Sequence, residues 1–76
     1  MLDRIVVDPN ILGGKPVIKG TRIPVYLIFK LLASGYDENK ILESYPSLKK
    51  EDIKAALEYA ENILEFEEVK KFKSVV

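Results

Sequence analysis

Residues 48–64 read LKKEDIKAALEYAENIL, and this stretch decides the fold. Its apolar residues recur at the i, i+3, i+4 and i+7 spacing of one helical face. They are Ile53, Ala56, Leu57, Ala60, Ile63 and Leu64. The opposite face is polar, with Lys54, Glu58, Glu61 and Glu65. At 1.5 Å per residue this helix is roughly 25 Å long, which is enough for the spine of a very small domain.

The start of this helix has an unusual composition. Leu48 and Ile53 have the spacing of a hydrophobic staple, which places the N-cap at Lys49. Lysine offers no side-chain acceptor for the free backbone N–H groups, although Asp52 in the first turn offsets part of that cost. A pair of lysines beside unpaired N–H groups suits a phosphate. The alternative is that these lysines are simply solvated, or that Ser47 is the cap of a helix with a slightly different start.

Composition limits the class of protein. The chain has 76 residues, no cysteine and no histidine, so we expect one domain without a disulfide or a zinc site. Residues 1–36 carry five basic and two acidic side chains, whereas residues 37–76 carry seven and ten. A nucleic-acid contact therefore has to use local basic patches, because the net charge is zero. The chain begins without a signal-peptide pattern, and we expect a cytoplasmic protein.

The remaining residues predict a short β-arm followed by two further helices. The predicted elements are strands at 4–8 and 16–19 and helices at 25–34 and 38–44. Asp37 is a good N-cap for the second of these helices, and Pro46 ends it. The third helix is expected to reach about residue 68 before a fraying or partner-bound tail.

Helix 25–34 is apolar nearly all round. In a chain of this size there is too little protein to cover such a helix on every face. Tyr26, Leu27 and Phe29 therefore indicate either cover from the N-terminal strands or a subunit interface. Gly35 suits the left-handed position just after the helix.

Three helices with very short turns predict a helix-turn-helix domain. We expect a mainly α single domain over residues 1–76. Residues 1–24 form the β-arm or hairpin, 25–64 the trihelical part and 65–76 the tail.

The run GKPVIKGTRIPV at residues 14–25 closely resembles a signature of the small prokaryotic family known as domain of unknown function four hundred and thirty-three. Later parts of that signature match Tyr45-Pro46 and the run DIKAALEYA at residues 52–60. The resemblance covers about residues 4–62. It implies a homeodomain-like trihelical fold with a β-arm, usually dimeric. It also implies an antitoxin that is encoded beside a PIN-like ribonuclease toxin. Many members have Ser or Thr where this chain has Lys49.

The predicted DNA contacts form two sets. Ser47, Lys49, Lys50 and Lys54 lie at the start and outer face of the third helix, where a recognition helix meets the major groove. Lys15 and Lys19 lie in the β-arm, where each is either a backbone contact or an exposed turn residue. Arg22 is either a further DNA contact of the β-arm or, as we favour, a structural residue that forms an ion pair or hydrogen bonds to turn carbonyls, for instance with Asp8. The first turns of the third helix have no Arg, Asn or Gln, so contacts are expected to favour the DNA backbone.

The tail is the predicted toxin-binding or partner-binding segment, through Phe66, Val69 and Phe72. The alternative is that these side chains pack on helix 25–34 or across a dimer. Catalysis is not expected, because the aspartates are scattered among turns and caps, and no cofactor is implied. The leading hypothesis is a homodimeric antitoxin that represses its own promoter and neutralises a PIN-like toxin. The alternative is a dimeric protein-interaction adaptor without DNA binding.

Overall fold

The computed structural model describes residues 2–75, and it describes the side chains of residues 3–65. A two-stranded antiparallel hairpin precedes three helices. The elements are β1 (Ile5–Val6), β2 (Val17–Ile18), α1 (Val25–Ala33), α2 (Glu38–Ser44) and α3 (Lys50–Val75). The predicted mainly α fold with a short β-hairpin is confirmed.

The hairpin is shorter than predicted. Ile5 pairs with Ile18 and Val6 with Val17, and residues 2–4 form a 3-10 turn instead of joining β1. Two strands of two residues are not stable alone. This hairpin is stabilised by burial of Val17 and Ile18, which are 1% and 0% exposed. The hairpin is also connected to α1, because Val25 N donates a hydrogen bond to Pro16 O at 2.9 Å.

Helix α1 ends where glycine permits a left-handed turn. Gly35 has φ 97°, its N–H donates to Leu32 O at 3.0 Å, and Tyr36 N donates to Leu31 O at 3.0 Å. This pair of hydrogen bonds is a Schellman motif. The helix ends at Ala33, one residue before the predicted end, because Ser34 is the C-cap.

Helix α2 has the predicted bounds and the predicted cap. The Oδ1 of Asp37 accepts from Lys40 N at 2.8 Å, which satisfies one of the free N–H groups of the first turn. The chain leaves the helix at Tyr45 before Pro46 and enters α3 at Lys50. This short connection produces the helix-turn-helix arrangement of α2 and α3.

The core lies where the hairpin and the three helices meet. Ile28 and Ile41 are fully buried, and Leu48 and Ile53 are both buried beside them, as the hydrophobic staple predicts. Helix α3 begins at the expected residue, but it continues to Val75 and not to about residue 68. Its first half packs on the core, and the helix is much longer than the core it covers.

Candidate functional site

Two surfaces of α3 are candidates for function. The first is a basic face at the start of the helix, formed by Ser47, Lys49, Lys50 and Lys54, and all four residues are exposed. Lys49 O accepts from Asp52 N at 3.0 Å, so Lys49 is the N-cap and Ser47 is not. The staple-based start is therefore correct, and Ser47 lies in the turn before the helix.

Asp52 explains how a lysine can occupy the cap. Its Oδ2 accepts from Lys49 N at 2.9 Å, which is the returning half of a capping box. Its Oδ1 accepts from Arg4 Nη1, also at 2.9 Å. Asp52 is 5% exposed, whereas the Arg4 side chain is 35% exposed. The carboxylate therefore caps the helix from inside and leaves the Lys49 side chain available to solvent.

The ion pair between Arg4 and Asp52 also connects the hairpin to the basic face. Lys19 N donates to Arg4 O at 2.7 Å, so the Lys19 backbone is hydrogen-bonded to the residue that binds Asp52. The Lys19 side chain is exposed. Lys19 of the β-arm set is therefore linked to the start of α3 through Arg4 and Asp52. Arg4 was not a predicted site residue, and its separation of 48 residues from Asp52 leaves no local sequence signal for the pair.

Lys15 does not join the basic face. Its Nζ lies 5.2 Å from the centroid of the Tyr26 ring, in the range of a cation–π contact. Lys15 and Tyr26 both line a different surface, which is described below. The structure therefore separates Lys15 from the other predicted DNA contacts.

Arg22 lacks the predicted structural role. Among the described residues no hydrogen bond or ion pair to Arg22 is formed, and the carboxylate of Asp8 instead accepts from Asn10 N at 2.9 Å. The turn that carries Arg22 is well ordered by Thr21, whose Oγ1 donates to Ile18 O at 2.8 Å and accepts from Ile23 N at 3.0 Å. Arg22 is thus an exposed cation on a turn that Thr21 stabilises by two hydrogen bonds.

Acidic residues interrupt the basic face. Lys50 and Lys54 border a shallow depression of about 440 Å³ between α2 and α3, and Glu38 and Glu51 line the same depression. These two carboxylates therefore offset part of the positive charge of Lys50 and Lys54, and the basic patch is short. Such a short patch fits backbone contacts better than an extended electrostatic track.

The second candidate surface is the α1–α3 groove. It has a volume of about 650 Å³ and is almost entirely apolar. Its principal lining residues are Lys15, Tyr26, Phe29, Tyr59, Ile63 and Leu64. Tyr26 is 54% exposed and Leu64 59% exposed, so the groove is an open apolar surface and not part of the core.

This groove lies where the predicted apolar stripe of α3 is no longer covered. The apolar residues between 53 and 64 were predicted to share one helical face, but the rest of the molecule covers only part of that face. Ile53 and Ala56 are buried, but Leu57 is 46% exposed and Ile63 is 42% exposed. The physical reason is length, because the hairpin, α1 and α2 cover only the first half of the stripe.

The predicted partner-binding residues Phe66, Val69 and Phe72 have side chains outside the described ones. Their backbone belongs to α3. Within residues 3–65, no group of three or more acidic side chains has a metal-binding arrangement. No helix in the described part of the chain is long and apolar enough to cross a membrane.

Several known proteins are similar in sequence to this chain. The model of the family "Protein of unknown function (DUF433)" matches residues 5–60. The uncharacterized protein y4eO of Sinorhizobium fredii is 46% identical over 57 residues, which is 75% of this chain and 26% of that protein. An uncharacterized protein of Archaeoglobus fulgidus is 67% identical over 24 residues, which is 32% of this chain and 67% of that protein.

A solved structure supports the same assignment. The crystal structure of a DUF433 member protein from Anabaena variabilis aligns with a TM-score of 0.76 and 33% sequence identity. The alignment covers 88% of this chain and 66% of that chain. The chain thus spans about a quarter of the y4eO protein and about two thirds of the crystallised protein. With the family model covering most of its length and the three-helix fold shared, this chain belongs to the DUF433 family.

Proposed function

We propose that this protein is the DNA-binding antitoxin of a type II toxin–antitoxin pair, and that it represses its own promoter. The observation that supports DNA binding most directly is the exposed start of α3 within the helix-turn-helix. There Lys49 is the N-cap, and the buried Asp52 accepts from its backbone N–H and not from its side chain. The lysine side chain is therefore free for a phosphate oxygen beside the N-terminal end of the helix dipole.

The neighbouring cations extend this contact. Lys50 and Lys54 lie on the exposed side of α3, and the backbone of the exposed Lys19 is linked to the same end of the helix through Arg4 and Asp52. Lysine binds phosphate as a point charge and does not read a base edge as Arg, Asn or Gln does. We therefore propose contacts mainly to the DNA backbone, with modest sequence specificity.

The experiment is fluorescence anisotropy of the protein on its own upstream DNA at several salt concentrations. A dimer that uses these lysines neutralises about 4–8 phosphates, so the logarithm of the binding constant falls steeply with the logarithm of salt concentration. The double variant Lys49→Glu, Lys50→Glu is expected to bind at least about tenfold more weakly, with a shallower salt slope. Unchanged affinity of this variant contradicts the assignment of the basic face.

The matched control is the double variant Lys30→Glu, Lys40→Glu, which leaves both the basic face and the α1–α3 groove intact. It makes the same change in net charge on exposed lysines outside the basic face. We expect it to bind DNA within about threefold of wild type, because screening limits the effect of distant charges. If both double variants lose the same DNA affinity, binding depends on the net charge of the protein and not on the basic face.

Toxin neutralisation is the second half of this proposal, and it rests on the family resemblance. We propose that a PIN-like toxin binds the tail that contains Phe66, Val69 and Phe72. Deletion of residues 65–76 is then expected to abolish pull-down of the protein encoded by the adjacent reading frame. Undiminished pull-down of that protein contradicts a role for the tail.

The α1–α3 groove favours a second candidate function, a protein-interaction adaptor without DNA binding. An open apolar surface of this kind marks a contact with another protein. The anisotropy measurement separates the candidates, since an adaptor shows no DNA binding even at low salt.

A further inference from the structure

We propose that the α1–α3 groove binds the C-terminal segment, residues 69–76, of a second copy of this chain. The groove presents a nearly continuous apolar surface between Tyr26 and Phe29 on one side and Ile63 and Leu64 on the other. A second depression of about 520 Å³ shares Phe29 and Leu64 with it. We refer to the groove and this second depression, which meet at Phe29 and Leu64, as the channel. Its length suits a row of apolar side chains better than a single small molecule.

Charge differs between the two parts of this channel: Lys15 lines the groove at Tyr26, whereas carboxylates border the second depression. The second depression is bordered by Glu61 and Glu65, and both are exposed. These two carboxylates lie on the same side, beside Leu64 and Leu57. A segment that fills the channel is therefore favoured when it carries cations next to its apolar residues.

Residues 69–76 have this composition. They read VKKFKSVV, with three lysines and no acidic residue. On a helix Val69, Phe72 and Val76 recur at i, i+3 and i+7, and so they share one stripe. This is the helix-in-groove pattern, with apolar anchors and flanking cations opposite carboxylates.

The segment has to come from another molecule. Helix α3 continues to Val75, and the groove is formed by its earlier turns, so the chain does not turn back to its own groove. Two copies can exchange their segments reciprocally, which gives two identical contacts and a closed twofold dimer. Because the proposed toxin contact uses the same segment, toxin and second copy exclude one another there.

The first test measures the dimer dissociation constant by analytical ultracentrifugation, without DNA. Wild type is expected to be dimeric. The groove variant Leu64→Glu and the segment variant Val69→Asp, Phe72→Asp are each expected to weaken the dimer at least about 30-fold, as loss of a central apolar anchor does. The matched control is Val7→Glu, since Val7 is 58% exposed, as Leu64 is 59% exposed, but lies outside the groove.

A mixing experiment distinguishes segment exchange from groove-to-groove packing. The Leu64→Glu chain keeps an intact segment, and the Val69→Asp, Phe72→Asp chain keeps an intact groove. Equal amounts of the two are expected to form a heterodimer, resolved by mass in native mass spectrometry, at concentrations where each alone is monomeric. Direct packing of two grooves gives no such rescue, because one damaged groove remains in every pair.

Several results overturn the inference. The first is a monomeric wild-type protein. The second is a Val7→Glu variant whose dimer is weakened as much as that of Leu64→Glu. The third is the absence of a heterodimer in the mixture. Far-ultraviolet circular dichroism on each variant confirms that the helices remain formed. Because no DNA is present, these outcomes are independent of the DNA-binding proposal. Weak DNA binding by a fully dimeric protein contradicts only the latter.

Discussion

The start of α3 and its turns at residues 57–64 differ in how far the rest of the molecule covers them. Its start is attached to the rest of the molecule through Asp52, which binds both Arg4 and Lys49 N, and through the buried Ile53. Its later turns expose apolar side chains at Ile63 and Leu64. The start of α3 therefore stabilises the domain, whereas its turns at residues 57–64 offer an apolar surface.

This contrast has a simple physical origin. A small domain can bury only about 60% of its unfolded surface, and here the hairpin, α1 and α2 supply enough cover for the first turns of α3 alone. The uncovered turns are stable as a continuation of an existing helix, since propagation is far easier than nucleation. The excess length therefore costs little stability and leaves apolar area for binding.

The largest expected effect is the loss of the buried carboxylate. Asp52→Ala removes the returning hydrogen bond to Lys49 N and leaves Arg4 unpaired. We expect the free energy of unfolding to fall by about 3 kcal/mol, which combines the loss of a helix cap and of one partner of a mostly buried ion pair. Urea denaturation monitored by circular dichroism measures this change.

The matched control for this variant is Glu51→Ala. Glu51 is adjacent in the first turn and equally acidic, but exposed. Its removal is expected to change the free energy of unfolding by less than about 0.5 kcal/mol. If both variants destabilise equally, the helix dipole and not the contacts of Asp52 is responsible.

A second comparison uses two alanines of the same helix. Ala56 is fully buried in the core, whereas Ala60 is half-buried at the groove. Ala56→Leu is expected to lower the free energy of unfolding by about 2 kcal/mol through overpacking, whereas Ala60→Leu changes it by less than about 0.5 kcal/mol. Thermal denaturation of the two variants at low protein concentration gives both values. A larger loss for Ala60→Leu means that the second half of α3 is packed as tightly as the first.

The smallest expected effect concerns the cap itself. Lys49→Ser supplies a side-chain acceptor for the first-turn N–H groups and completes the capping box with Asp52. We expect the free energy of unfolding to rise by about 0.5–1 kcal/mol. The same variant is expected to bind DNA more weakly, since it removes a cation of the basic face. The measurements are urea denaturation and anisotropy on one sample, with Lys50→Ser as the control that loses a cation without gaining a cap. A Lys49→Ser variant that is less stable than wild type contradicts this assignment of the N-cap.

Much of the fold could be predicted from local chemistry. Asp37, Pro46 and Gly35 mark helix boundaries through interactions within one or two turns, and the structure places all three as expected. The start of α3 is equally local, because the staple of Leu48 and Ile53 identifies it. The basic face at this start was therefore found from the sequence, with Lys49 at the cap.

The sequence by itself determined the helices, their caps and the charged start of α3, because each depends on neighbours a few residues away. Only the tertiary structure decided that Arg4 binds Asp52, that the Lys19 backbone pairs with Arg4 and that Lys15 lies at Tyr26. It also decided that the apolar stripe of α3 is covered in one half and exposed in the other. Helical periodicity identifies which residues share a face, but how far that face is covered depends on the reach of elements distant in sequence.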